Sequence, residues 1–168
     1  FQSSTDGSNP TGALAYNFLN NKIYGTCSSG GETGFGTCFA YTLGGNFAVL
    51  HQFEGMTEGA YPQSGLILAA DGKLYGSTQF GGAHNQGSIF KFDQFENTFE
   101  IIYSINSANS DGRYPFGKLV ESSNGVLMGT CSEGGQSGTG TVFKLTTSGD
   151  FTRLKSLNST IDGGYPKA

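Results

Sequence analysis

Residues 65–92 run GLILAADGKLYGSTQFGGAHNQGSIFKF. Three short apolar runs are separated by an Asp-Gly turn and by a longer loop that opens on the glycine pair Gly81 and Gly82. Runs of this length, rich in Leu, Ile, Tyr, Phe and Thr and bounded by turn residues, read as strands. In the last of them Ile89 and Lys91 alternate with Phe90 and Phe92, the period of two that puts one face of a sheet in a core.

The same order recurs on either side. Upstream, ALAYNF from Ala13, KIYGTC from Lys22, the pair Gly30 and Gly31, Gly36, GTCFAYT and FAVLHQF follow one another. Downstream stand KLVESS from Lys118, VLMGTC from Val126, Gly134 and Gly135, Gly140, GTVFKLT and FTRLKSL. Phe39, Phe90 and Phe143 are equivalent. Acidic turns ending in proline punctuate the series as DGSNP (6–10), EGAYP (58–62), DGRYP (111–115) and DGGYP (162–166), with proline steps of 52, 53 and 51 residues. A fixed period of this size marks a repeat architecture. The units are 1–52, 53–104 and 105–156, with 157–168 beginning a fourth, all in one array. In the fourth run Phe151, Leu154 and Leu157 fall three apart, which in so short a segment indicates a strand with a bulge.

A unit of four antiparallel strands in about 52 residues matches a propeller blade, and Kelch repeats have roughly this length. The expected fold class is therefore all-β, a tandem of four-stranded blade-like repeats in a propeller-like arrangement. Three blades fall short of the roughly 4–8 of a closed ring, so further repeats or further protomers are expected to complete it. Residues 1–12 share the phase of 157–168, so the chain is expected to be cut from a longer array or to pair its overhangs with neighbours.

Of 168 residues 28 are glycine and 13% are charged, with a formal net charge of −4. The nine basic residues are scattered, which argues against nucleic acid as a partner. There is no run of 18 apolar residues, so this segment is not expected to insert in a membrane as a helix.

The order GLIxxxDGxLYGxTxxGGxxxxGxxFKF at 65–92, with KLVESSNGVLMGTCSEGGQSGTGTVFKLTTSGDFTRL at 118–154, resembles the GloVer (Gloeo/Verruco-type) tandem repeats of large bacterial surface and secreted proteins. The first unit departs from the pattern, with Asn20 and Asn21 in place of Asp-Gly. The resemblance implies export, surface display and a propeller-like fold; it implies neither an activity nor binding residues.

Chemistry-bearing patterns are sparse. The glycine pairs are not followed by a helix or by GK[ST], so they read as turns rather than a phosphate cradle. His51 and His84 lack partners at metal-ligand spacing, and each acidic turn offers a single carboxylate, too few for calcium. There is neither a GxSxG elbow nor a repeated carboxylate pair. No enzyme activity, cofactor or metal is expected. The loops after the glycine pairs vary between units, and Glu32, His84, Asn85, Gln86, Glu133 and Gln136 are the candidate ligand residues there. The turn residues Asp111, Tyr114, Pro115, Asp162, Tyr165 and Pro166 serve either as inter-repeat connectors or as a multivalent surface. Cys27 and Cys38 close adjacent strands, so a disulfide suited to an oxidising compartment is one expectation and buried thiols the other; Cys131 is left over.

The expected function is that of a non-enzymatic exported repeat protein at the cell surface or in an extracellular fibre, structural or adhesive, whose partners are copies of itself or further repeats. The alternative is a lectin-like propeller that binds glycans or another ligand.

Overall fold

The computed structural model describes residues 2–122 and 125–167. They form three antiparallel sheets, and helix is confined to one 3-10 turn at Ser107–Asn109 among the described residues. The first sheet contains β1 (Ala15–Asn17), β2 (Lys22–Cys27), β3 (Thr37–Thr42) and β4 (Phe47–Gln52). The second contains β5 (Ile67–Leu68), β6 (Leu74–Thr78), β7 (Ser88–Asp93) and β8 (Thr98–Ser104). The third opens with the short β9 (Arg113–Pro115) and continues through β10 (Val120–Glu121), β11 (Val126–Glu133), β12 (Thr141–Thr146) and β13 (Phe151–Ser156); β9 pairs with β11. Otherwise each sheet is a meander in which strand order in space equals strand order in sequence, as in a propeller blade. The innermost strands converge. Ala13 and Gly65 form a parallel bridge, and Leu14, Leu68 and Val120, one from each repeat, line a common cleft of about 500 Å³.

One cross-strand pair recurs at the centre of every sheet. Gly25 lies directly opposite Phe39, Gly76 opposite Phe90 and Gly129 opposite Phe143. The ring folds across its glycine: a Cβ there would lie 2.6, 2.5 and 2.6 Å from Cζ of the respective phenylalanine, and 2.7, 2.9 and 2.8 Å from Cδ2 of Leu14, Leu66 and Leu119. Glycine is required by close approach, since these three have ordinary negative-φ strand backbone. The phenylalanine face of one sheet then packs on the opposite face of the sheet before it. Phe90 and Phe92 pack against Tyr24, Cys38, Ala40 and Phe53. Phe143 and Leu145 pack against Ile67, Tyr75, Ile89 and Ile105. Each ring so buried contributes about 1.5–3 kcal/mol.

The fourth strand of each sheet is bulged, as the irregular spacing of its apolar residues predicts. Cys38 pairs with His51 while Phe39 pairs with Val49, so Leu50 is the extra residue, and Ile102 and Leu154 occupy the same place in the other two sheets. The bulge lets both neighbouring apolar residues turn towards the next sheet. His51 stacks on Phe99 with ring centroids 3.6 Å apart and planes at 3°, and Tyr103 stacks on Phe151 at 4.4 Å and 6°.

The acidic turns are connectors. In each, the carboxylate accepts a backbone N–H from four or five residues upstream: Asp6 from Gln2 (2.8 Å), Glu58 from Glu54 (3.3 Å), Asp111 from Asn106 (3.1 Å) and Asp162 from Asn158 (3.2 Å). Three of them also hold the side chain at the end of the preceding fourth strand. His51 Nε2 lies 3.0 Å from Glu58, the Tyr103 hydroxyl donates to Asp111 at 2.6 Å, and Lys155 Nζ lies 3.2 Å from Asp162. Burial, and then Asp111, push the Tyr103 phenol up, so it stays a donor. Three residues past the acid, Tyr61, Tyr114 and Tyr165 take the left-handed conformation (φ 58°, 59° and 57°), as does Asn9 in the first turn (φ 55°). Their N–H groups donate to the carbonyls of Phe35, Gln86 and Thr139 at 2.9, 2.9 and 2.8 Å. Pro62, Pro115 and Pro166 seat against Gly36, Gly87 and Gly140. Each turn thus clamps the glycine loop of the unit before it.

The cysteines correct one expectation. Cys27 is opposite Thr37 and Cys38 opposite Thr26 in the β2–β3 register, so the two side chains point to opposite faces of the sheet and no disulfide forms between them. All three cysteines are buried free thiols. Cys38 faces the second sheet, while Cys27 and Cys131 lie under the turn glycines Gly7 and Gly112. Burial raises each thiol, Cys131 to about 12.

Two predictions follow from this packing. Gly76→Ala forces a methyl into the Phe90 ring and is expected to cost about 1–3 kcal/mol in denaturant unfolding; Gly44→Ala, where a Cβ meets nothing within 4 Å, is its neutral control. Burial of His51 outweighs the nearby Glu58 and lowers its pKa, so the unfolded chain binds the proton more readily. The stability this provides is present above the ordinary histidine value of about 6.5 and is lost as the pH falls towards the folded value. His51→Tyr, which copies Tyr103, is expected to flatten the fall in unfolding midpoint between neutral and mildly acidic pH; equal slopes for the two proteins would refute this.

Candidate functional site

Where a glycine loop meets the next unit's turn, aromatic side chains gather. Phe35 and Phe80 each stand at the edge of a glycine loop, and Tyr61 and Tyr114 project from the turns that clamp those loops. The left-handed backbone aims each tyrosine ring along the rim. Phe35 meets Tyr61 edge-on at 6.2 Å, Tyr61 meets Phe80 edge-on at 5.9 Å, and Phe80 meets Tyr114 at 4.8 Å. The Arg113 guanidinium closes the row 5.5 Å above Tyr114 and is held by Glu133 at 3.0 Å. Beside the row Phe35, Met56, Ala60, Tyr61, Phe80 and Asn85 enclose a cleft of about 270 Å³. Tyr61 keeps 37% of its surface exposed and Met56 keeps 70%. A left-handed L-residue costs roughly 1–2 kcal/mol, and here three tyrosines adopt it where glycine would adopt it freely.

The candidate loop residues divide in two. Glu133 joins the aromatic row through Arg113, and Asn85 lines its cleft while its carboxamide oxygen accepts the Gly81 N–H at 3.1 Å. Gln86 instead serves the framework, donating to the Ser107 hydroxyl (2.7 Å) and accepting the Ser107 N–H (2.6 Å). Glu32, His84 and Gln136 are exposed, and the Glu32 and Gln136 N–H groups bond to Gln52 and Ser156. Asp111 is buried and engaged by Tyr103 and Asn106, and Pro115 is buried against Gly87, so both are structural. Asp162, Tyr165 and Pro166 repeat the arrangement at the third unit, with Tyr165 half exposed. Sequence reasoning singled out Tyr114 and Tyr165 and placed Phe35 in a variable loop, but it did not single out Tyr61, Phe80 or Arg113. The available signal was the aromatic placed directly before a loop glycine in Phe35-Gly36 and Phe80-Gly81.

Among the described residues no group of three or more His, Cys, Asp or Glu side chains could hold a metal ion. No helix among them is long and apolar enough to cross a membrane. The rim offers flat apolar ring faces, phenolic and carboxamide hydrogen-bonding groups and one paired guanidinium. That set is suited to holding a ligand with apolar faces and polar edges.

Solved structures that resemble this chain are propellers. A gluconolactonase from Xanthomonas campestris matches at 12% identity and a TM-score of 0.61, covering 92% of this chain and 50% of that one. Virginiamycin B lyase from Staphylococcus aureus matches at 15% identity and 0.56, covering 93% and 44%. A nidogen/laminin complex matches at 16% and 0.59, covering 86% and 48%. The chain thus spans half or less of each of these structures, and at such identities the likeness concerns the fold. Among curated proteins none matches. The Gloeobacter/Verrucomicrobia repeat model matches over residues 1–168, the whole length on which the Gly-Phe pairs, bulges and clamped turns recur, and the chain belongs to that repeat family.

Proposed function

We propose that this chain is a non-enzymatic, exported propeller module that works at the cell surface by adhesion, with the aromatic rim as its recognition surface and carbohydrate as the ligand class. The observation that carries this is the row Phe35, Tyr61, Phe80 and Tyr114, kept partly open by strained turns. The C–H faces of a sugar ring pack on aromatic faces while its hydroxyls need polar partners at the edge, and the rim supplies both through the tyrosine hydroxyls, Asn85 and Arg113. Recurrence of the turn gives several weak sites on one rigid frame, and avidity multiplies such sites without any new contact. The carboxylates of the turns are engaged in structural bonds, which favours binding over acid-base chemistry. Export and surface display are supported by the family resemblance.

Tyr61→Asn and Tyr114→Asn test this cleanly, because Asn9 already occupies the equivalent left-handed position in the first turn. On an array of bacterial and host glycans the wild-type chain is expected to bind, and each variant to lose about tenfold or more in affinity, some 1.4 kcal/mol. The thermal midpoint should be unchanged or raised. Absence of any bound glycan, or equal binding by the variants, would sink the proposal.

A further inference from the structure

The residue that follows each turn proline begins the approach to an innermost strand, and these residues meet. Thr11, Gln63, Phe116 and Lys167 stand directly after Pro10, Pro62, Pro115 and Pro166, and all four line one cleft of about 380 Å³. Gly12, Ser64 and Gly117, the next residues along, form its wall, and Lys118 joins it to the cleft between the innermost strands. The repeat therefore varies the side chain from hydroxyl to carboxamide, ring and ammonium at one equivalent position. Two ammonium groups line this cleft in a chain whose formal net charge is −4, and among the described residues no acidic side chain lines it. Among those residues neither lysine is in an ion pair, whereas Lys73, Lys91, Arg113 and Lys155 each hold a carboxylate. The wall also carries an unmet hydrogen-bonding group. In the second unit the Ser77 hydroxyl donates to that of Ser64 at 2.9 Å. Gly12 replaces Ser64 in the first unit, so the equivalent Thr26 hydroxyl has no partner among the described residues, although it is buried and lies 2.7 Å from where a Cβ on Gly12 would stand.

We propose that this cleft is a second ligand site, distinct from the aromatic rim, and that it takes a carboxylated sugar of the uronic acid class. Lys118 and Lys167 supply the charge that a carboxylate needs, as compact ammonium groups on flexible stems. Thr11 and Gln63 offer a hydroxyl and a carboxamide to the ring hydroxyls of the sugar, and the Gln63 carboxamide is oriented by its bond to Gln79. The half-buried Phe116 gives the sugar's C–H face an apolar wall. At the Gly12 side the Thr26 hydroxyl sets a polar demand that a ligand hydroxyl or a bridging water meets. An inorganic anion would engage the two lysines and leave the hydroxyl, the carboxamide and the ring idle. Both lysines are exposed, so the attraction they exert falls as salt rises. This cleft and the one beside the aromatic row share no lining residue, so the site does not depend on what the rim binds.

Isothermal titration of the purified chain at low salt with glucuronate, glucose, acetate and inorganic phosphate tests this. Glucuronate is expected to bind saturably, and about fivefold or more tighter than glucose, which lacks the charge, acetate, which lacks the ring, or phosphate, which has charge alone. Lys118→Gln and Lys167→Gln, both at exposed positions, are each expected to weaken glucuronate binding about fivefold with the thermal midpoint unchanged. Lys144→Gln removes the same charge from an exposed strand position outside the cleft and should bind as the parent does. The inference is overturned if glucuronate does not bind saturably, if any of the other three probes binds as tightly, or if Lys144→Gln loses as much as the cleft variants. Tyr61→Asn and Tyr114→Asn are expected to keep the parent's affinity for glucuronate; a loss there would place this ligand on the rim and overturn the second site. Glycan binding by the rim is measured on Lys118→Gln, so either site can fail while the other stands.

Discussion

Every sheet of this protein turns on a phenylalanine lying across a glycine. The contact settles three things at once. It places an aromatic ring flat on the sheet where a side chain would otherwise stand upright, it forbids any larger residue on the facing strand, and in the second and third sheets it creates the smooth face that the preceding sheet covers. Because Gly25, Gly76 and Gly129 stand opposite Phe39, Phe90 and Phe143, each pair also pins the register of the second and third strands. A slip of one residue would turn the ring away from the core and leave the glycine bare.

Much of this was legible in the sequence, for reasons that trace to particular residues. Asp-Gly and Pro at a fixed period, and Phe and Lys alternating in the third run, report backbone geometry and one-sided burial directly. The three-residue spacing of Phe151, Leu154 and Leu157 disclosed the bulge, in which Leu154 is the extra residue between the pairs Val142–Lys155 and Phe143–Arg153. Between a disulfide and buried thiols the sequence could not choose, because strand adjacency says nothing of facing; one step of register separates a bridged pair from Cys27 and Cys38. The aromatic row stayed hidden for a different reason. Phe35, Tyr61, Phe80 and Tyr114 come from two loops and two turns; the tyrosines are equivalent in the repeat, but the two phenylalanines are not. Phe35 corresponds to Gln86 and Thr139, and comparing units therefore dilutes the very residues that meet in space.

The penultimate side chain of the fourth strand shows how the repeat divides constancy from variation. His51, Tyr103 and Lys155 differ in charge and size, yet all reach the acid of the following turn. The frame demands a donor there and is indifferent to its chemistry. Each choice carries its own sensitivity: an imidazole answers to acid, a phenol is inert across the physiological range, and an ammonium answers to salt.

The meander order has a consequence for how the chain acquires its shape. Apart from β9, every strand pairs with its sequence neighbour within a sheet, so the loops closed are short and their entropic cost is small. Face-to-face packing between sheets joins residues about fifty positions apart and comes at a higher entropic cost. The molecule is therefore kinetically layered, with hairpins forming as local events and docking following as the slower, cooperative step. A nascent chain can complete one sheet before the next has been synthesised, and each finished sheet presents the face opposite its phenylalanine as the surface on which the next sheet's phenylalanine-covered glycine settles.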